Sequence, residues 1–191
     1  MGGIVTTADT LDIDGDLSIN DGGSTSLDLT GDTVNLAGDM DLANLDSFTS
    51  TSSTIVFNGS STQGIAADSN TFNKLTISNS TTTFFSEVFT TADLTNTTAG
   101  SSMVFLDGAT TTISGTLTIT GEAGNEVYIN SEDGSTRFTW DLTGAPQTVN
   151  FVNVSNSEVD SNDVTAFNST DATNTDSGDA TPQWVFTALQ D

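Results

Sequence analysis

Four aspartates near the start of the chain have the residue type and spacing that a calcium site would use. Asp12, Asp14 and Asp16 alternate with an isoleucine and a glycine, and Asp39 follows Asp16 at an interval of 23 residues. Clustered carboxylate oxygens are ligands that calcium prefers. The pattern departs from an EF-hand loop, because its glycine comes too early and no glutamate stands at the twelfth position. Calcium at these four aspartates is the one cofactor that the sequence suggests.

Stacking of these carboxylates would favour a bound cation. In a coil of 23 residues, Asp16 lies over Asp39 at an inter-strand spacing of about 4.8 Å. Two carboxylates at that distance repel by about 0.9 kcal/mol even in a water-like dielectric. The alternative is that the aspartates only solvate the outer side of strands whose leucines and isoleucines face inward. Melting that is insensitive to a chelator would exclude calcium.

The composition excludes most other chemistry. The chain has no cysteine and no histidine, and two basic residues, Lys74 and Arg137, stand against 26 acidic ones for a net charge of −24. This balance predicts no binding to nucleic acid and no attraction to anionic membranes. No apolar run approaches the length of a membrane helix, so we expect no membrane insertion.

Catalysis has no convincing signal in this sequence. Paired carboxylates for glycoside cleavage can be chosen freely among 26 candidates, so no pair stands out. We expect Lys74 and Arg137 to form surface ion pairs rather than to line a reaction cleft. The sequence therefore predicts that the protein is not an enzyme, with no catalytic and no cofactor-binding residues.

Short alternating strands recur along the chain at a nearly constant interval. Residues 15–19 are followed 23 residues later by residues 38–42, and Leu94 and Leu117 are separated by the same step. Adding the step once more leads to Trp140. Such spacing predicts an all-β solenoid with coils of about 20–23 residues and three short faces per coil. An antiparallel β-sandwich is the alternative fold.

The pattern divides one solenoid domain, residues 1–191, into three parts. Residues 1–46 are predicted to form Asp-rich N-terminal coils, and residues 55–154 form the central coils. Residues 155–191 are predicted to be a loop-rich C-terminal cap that hides the last open edge. Eleven phenylalanines predict aromatic stacks between coils, and Trp140 and Trp184 are expected in the core or cap rather than on a sugar-binding surface.

Threonine suits the outer surface of such strands because it is β-branched and tolerates solvent. A regular array of threonine pairs would also be typical of an ice-binding face. Aspartate, asparagine and serine interrupt the array in this sequence. We therefore interpret the threonines chiefly as surface strand residues.

Residues 115–119, residues 72–77 and the closing residues 184–186 carry a family resemblance. They resemble repeat segments of large secreted bacterial surface proteins, including adhesins and autotransporter-like passengers built as right-handed parallel β-helices. The resemblance extends over most of residues 55–186. It implies an extracellular or cell-surface location and a structural or adhesive role, and it transfers no catalytic residues.

These observations predict a non-enzymatic structural subunit or module of an extracellular bacterial surface fibre or layer. It would assemble through open β-strand edges, with further copies of itself as partners in a head-to-tail oligomer or filament. The alternative is an adhesin or glycan-binding solenoid segment, whose partners would be surface glycans.

Overall fold

The computed structural model describes residues 2–5, 9–19 and 25–188. All regular secondary structure in these ranges is β, and they contain no helix that could cross a membrane. In chain order the strands are β1 (Gly2–Val5), β2 (Thr10–Ile13), β3 (Leu17–Ser18), β4 (Thr25–Asp28), β5 (Thr33–Leu36), β6 (Met40–Asp41), β7 (Ser47–Thr49), β8 (Thr54–Phe57), β9 (Gln63–Ala66), β10 (Thr71–Ile77), β11 (Thr82–Phe85), β12 (Thr90–Asn96), β13 (Ser102–Phe105), β14 (Thr110–Ile113), β15 (Leu117–Ile119), β16 (Val127–Ser131), β17 (Phe138–Leu142), β18 (Gln147–Asn150), β19 (Val152–Ser155), β20 (Ser157–Asp160), β21 (Val164–Phe167), β22 (Thr170–Thr173) and β23 (Trp184–Thr187).

The strands stack in parallel and form a β-solenoid of about nine turns. Each coil visits three faces in turn, as the strand spacing predicts. The first face contains β1, β4, β7, the first parts of β10 and β12, β14, β17 and β20. The second face contains β2, β5, β8, the second parts of β10 and β12, β15, β18, β21 and β23. The third face contains β3, β6, β9, β11, β13, β16, β19 and β22.

Two strands in the middle of the solenoid span two faces at once. β10 and β12 each have seven residues, and only residues 74–77 of β10 pair with β8. On the other side, β14 pairs with residues 90 and 91 of β12, while β15 pairs with residues 94–96. The corner between the first and second faces is therefore straightened in these two coils and reopens after them.

The predicted register is correct at two places and wrong at a third. Leu17 pairs with Met40, and Leu94 pairs with Leu117, as the 23-residue step requires. Trp140 instead pairs with Thr111, which precedes it by 29 residues. The coil between them is longer because it includes additional turns at residues 121–125 and 132–136. Other coils are shorter, down to the 17 residues that separate Asn153 from Thr170.

The C-terminal third is more regular than its polar sequence suggests. Residues 155–191, which are predicted to be a loop-rich cap, contain β20, β21 and β22. A strand of four residues has two inward positions, and β20 fills them with Ser157 and Val159, both buried. Serine at an inward position conceals the alternation on which strand prediction depends. Asn156, at φ 49°, and Asn168, at φ 53°, form the corners in the left-handed conformation that asparagine tolerates.

Residues 174–183 replace a first-face strand in the last coil and cover β20. Asp176 is buried, and its two carboxylate oxygens accept hydrogen bonds from the backbone N–H groups of Val159 and Trp184, both at 2.9 Å. Arg137 holds the same segment by donating to the carbonyl oxygens of Asn174, at 3.0 Å, and Thr175. The first-face edge at this end is therefore closed.

The core is a continuous column of inward side chains, and its centre is aromatic. Phe105 stacks on Phe85 and on Phe138 with ring centroids 4.6 Å apart in both pairs. Trp140 meets Phe105 edge-on at 5.5 Å and contacts Trp184 at 5.6 Å. Both tryptophans are fully buried, as the sequence predicts. Stacked rings between coils are thus confirmed.

Removing a ring from the middle of this column should destabilise the protein strongly. We expect Phe105→Ala to lower the free energy of unfolding by about 3–5 kcal/mol, because it deletes a buried ring and the stacking contacts that this ring makes. Phe84→Ala removes a ring that is 37% exposed, and the cost should stay below about 1.5 kcal/mol. Urea unfolding of both variants measures the difference. Equal losses would contradict the placement of the column.

Candidate functional site

The structure places the four predicted aspartates in the N-terminal coils, with Asp12 on β2 and the others near a corner, and it gives Asp12, Asp16 and Asp39 separate partners. Asp12 lies opposite Asn35 on the neighbouring coil, and its Oδ1 accepts a hydrogen bond from Asn35 Nδ2 at 2.6 Å. Asp16 stacks next to Asp39, and its Oδ1 accepts the backbone N–H of Asp39 at 2.9 Å. Asp14 is exposed between them. The predicted stack of Asp16 on Asp39 is therefore present, but a protein hydrogen bond joins the pair.

The same arrangement recurs where other coils turn. Asp39 Oδ1 accepts the backbone N–H of Gly64 at 2.7 Å, and Asp93 Oδ1 accepts that of Thr116 at 2.9 Å. Glycine precedes the donor in two of these three bonds, and in the third the donor is Gly64 itself. A Cβ on Gly38 would overlap Asp16 Oδ1, and a Cβ on Gly115 would lie 2.7 Å from Asp93 Oδ1. Aspartate followed one coil later by glycine is thus a structural unit of this solenoid.

Eight aspartates act as what we call corner carboxylates, each accepting a backbone N–H from another coil or from the covering segment. Most of them satisfy donors beside a corner, where the chain leaves a face and its carbonyl partner is lost, whereas Asp39 and Asp176 also serve N–H groups within β9 and β20. A hydrogen bond to an ionised carboxylate is about twice as strong as one between neutral groups. The corner carboxylates are Asp16, Asp32, Asp39, Asp46, Asp93, Asp107, Asp163 and Asp176.

The described residues contain no group of three or more acidic side chains that could hold a metal ion. The carboxylates of Asp12, Asp16 and Asp39 each use one oxygen for a hydrogen bond within the protein. These bonds give the stacked aspartates a structural role that needs no cation. Calcium at Asp12, Asp14, Asp16 and Asp39 stays a prediction, to be tested by melting in calcium and in chelator.

The two basic residues form the ion pairs that the sequence predicts. Lys74 Nζ lies 3.5 Å from Asp93 Oδ2, its register partner on the next coil. Arg137 Nη1 lies 3.9 Å from Glu158 Oε2 and 3.8 Å from Asp179 Oδ2. These ion pairs add to the hydrogen bonds that Arg137 donates to residues 174–183. Both pairs are partly exposed, so each contributes little by charge alone.

Threonines collect on the outer side of the second face. Thr76, Thr95 and Thr118 are register partners on three successive coils. The neighbouring outward positions on two of these strands are the ion pair of Lys74 and Asp93. The threonine array is therefore one column wide there, which fits the surface-strand interpretation.

A groove at the C-terminal end of the second face is a feature that the sequence did not predict. We call it the Phe167 groove. It has a volume of about 660 Å³ and lies where β18, β21 and β23 end. Asn150, Phe167 and Thr187 are register partners there. Its remaining lining residues are Thr120, Thr148, Val149, Asn168 and Ala188. A phenylalanine at an outward strand position was the one available signal.

Comparison with protein-family models gives no match, and searches of curated proteins and of solved structures give no significant match either. The parallel β-solenoid is therefore supported by the structure alone. No match supports the resemblance to adhesins and autotransporter passengers, and the role that it implies is a proposal.

The additional turn at residues 132–136 depends on another aspartate. Asp133 Oδ1 accepts the backbone N–H groups of Thr136, at 2.8 Å, and Ser135, at 2.7 Å, while Oδ2 accepts the hydroxyls of Ser135 and Thr136. These bonds, the backbone bond from Thr136 first, hold the pKa of Asp133 far below its usual value. The hydroxyl and backbone N–H of Thr30 lower the pKa of Asp28 in the same way.

The turn should therefore contribute stability that depends on pH. Because folding lowers the pKa of Asp133, its contribution is complete above the unfolded pKa of about 4 and falls as the pH drops towards the folded pKa. We expect Asp133→Asn to lower the melting temperature at pH 7, with a smaller difference from the wild type at pH 3. Glu122→Gln, an exposed site in the neighbouring turn, is the control. A difference that stays constant between the two pH values would contradict this role.

Proposed function

We propose that this protein is a non-enzymatic structural module of an extracellular bacterial surface fibre or layer, which assembles through open β-strand edges. The observation that carries the proposal is the asymmetry between the first coil and those that follow it. Leu11 is 36% exposed, whereas its register partners in the next two coils, Val34 and Ile55, are fully buried. The inward side of the first described coil is thus incompletely covered.

Other residues of the first coil support this proposal. Ile13 and Leu17 point towards the core but are only partly buried. Among the strands that the structure describes, β2 and β3 are the outermost of their sheets, and no described strand pairs with the outer edge of β2. An unpaired edge with apolar inward side chains is a template for another strand, since pairing would satisfy the backbone and bury the side chains together.

The opposite end would offer two strands to such a contact. Residues 174–183 close the first face over β20, while β22 and β23 are the outermost strands of the third and second faces. Head-to-tail association would therefore bring β2 against β23 and β3 against β22. A contact of this kind does not close on itself and produces a filament.

The acidic surface limits how readily copies meet. A net charge of −24 keeps single molecules soluble and makes them repel one another. Salt screens this repulsion, with a Debye length of about 8 Å at physiological ionic strength. Assembly should therefore be stronger at physiological salt than in dilute buffer.

Sedimentation velocity and negative-stain electron microscopy across a concentration series test the proposal. We expect the wild type to form oligomers or fibres, and Leu11→Asp to stay monomeric because a charge would be buried in the contact. Phe84→Asp is the matched control, since Phe84 is 37% exposed but lies on β11 in the middle of the third face.

The control should assemble like the wild type. A wild-type protein that stays monomeric at every concentration and salt level would refute assembly through the open edge. Assembly of Leu11→Asp equal to that of the wild type would place the contact elsewhere.

A further inference from the structure

The Phe167 groove has the size and position of a ligand site. Its volume of about 660 Å³ lies within the range of about 300–1,000 Å³ that is typical of small-molecule sites. It lies at the corner where the chain passes from the second to the third face, next to Asn168 with φ 53°. Strand ends and a turn form its walls, so its shape is set by the stacked coils.

An aromatic ring with an uncovered face lies in the groove. Phe167 is 42% exposed, whereas the inward residues of the same strand, Val164 and Ala166, are buried. An exposed ring surrounded by polar residues offers a flat apolar surface that suits the C–H face of a sugar ring. Trp140 and Trp184, which the sequence predicts in the core or cap, are buried and have no such surface.

Hydroxyl and amide groups surround this ring. Thr120, Thr148 and Asn150 line the groove, and Asn168 Nδ2 donates a hydrogen bond to Asn150 Oδ1 at 2.8 Å. Asn168 Oδ1 and Thr187 Oγ1 are shielded from water and have no hydrogen-bond partner. Polar atoms left unpaired in a buried position are unusual and call for a partner. To bond a ligand in the groove, the shielded hydroxyl of Thr187 has to change its χ1 rotamer.

Charge decides the class of ligand. None of the lining residues that the structure describes is ionisable, so none of them could pair with a charged ligand. The net charge of −24 repels acidic sugars before they reach the surface. Amides and hydroxyls around an aromatic ring, without a charge, match a neutral polyhydroxylated molecule.

We propose that the Phe167 groove binds a neutral saccharide. The ring of Phe167 packs against one sugar face, and Thr187 and the Asn150–Asn168 pair bond to sugar hydroxyls. Thr187 belongs to β23, so the groove borders the outer edge of the second face. Saccharide binding does not rest on the assembly proposed above, so either proposal can fail without the other.

The full chain should first be applied to an array of neutral oligosaccharides, comprising glucans, mannans, galactans and xylans, with polygalacturonate and sialylated glycans beside them. Isothermal titration with the best-retained neutral oligosaccharide then compares three variants with the wild type. We expect Phe167→Ala to lower the association constant about tenfold or more. Thr187→Val, which keeps the side-chain shape, should weaken binding to a smaller degree.

Tyr128→Ala is the matched control, because Tyr128 is 45% exposed but lies on β16 on the third face. It should bind like the wild type, and circular dichroism should show that every variant is folded. Retention of no neutral oligosaccharide, or of acidic glycans alone, would overturn the proposal. Equal losses in Phe167→Ala and Tyr128→Ala, or no loss in Phe167→Ala, would also overturn it.

Discussion

The solenoid depends on pairing each backbone N–H group with an acceptor on an adjacent coil. Along the faces the parallel ladders satisfy most of these groups. At the corners the chain turns, the ladder is interrupted, and a donor there would be left without a partner. The corner carboxylates fill these places, as when Asp16 accepts from Asp39 and Asp39 accepts from Gly64. Much of the unusual acidity of this chain thereby gains a structural reason.

The two ends of the molecule differ in how far their strand edges and inward side chains are covered. At the C-terminal end, Asp176 and Arg137 hold residues 174–183 over β20, and Trp184 closes the aromatic column. In the first described coil, Leu11 stays partly uncovered and no strand lies outside β2. Our proposal of assembly follows from this difference, while the proposal of saccharide binding follows from a groove on the side of the stack. The two proposals rest on different residues, although the groove borders the outer edge of β23.

How far the sequence predicts this structure depends on the length of each coil. The 23-residue step places Leu17 on Met40 and Leu94 on Leu117, and the coil from Leu94 to Leu117 contains only strands and short turns. The step fails at Trp140, since turns inserted on the surface lengthen a coil without altering its inward pattern. β20 is difficult to predict from the sequence because the buried Ser157 interrupts the apolar alternation.

The candidate site was less predictable than the fold. The aspartates Asp12, Asp16 and Asp39 could be found by their spacing, but their partners are backbone and amide groups that only the register reveals. Phe167 could be found only after its strand had been placed on the second face, since a single phenylalanine resembles any core residue. Local patterns identify strands and turns, whereas surfaces arise from the way coils of unequal length align.

The most direct test of this account is the stability of Asp176→Asn measured by equilibrium urea unfolding. An asparagine has one acceptor oxygen, so it cannot accept from both Val159 and Trp184, and its NH2 group would face an N–H donor. The account predicts a loss on the order of 2–3 kcal/mol. Asp179→Asn, at an acidic side chain that is 65% exposed, should cost about 0.5 kcal/mol or less. Equal stabilities of the wild type and Asp176→Asn would contradict the claim that corner carboxylates hold the coils together.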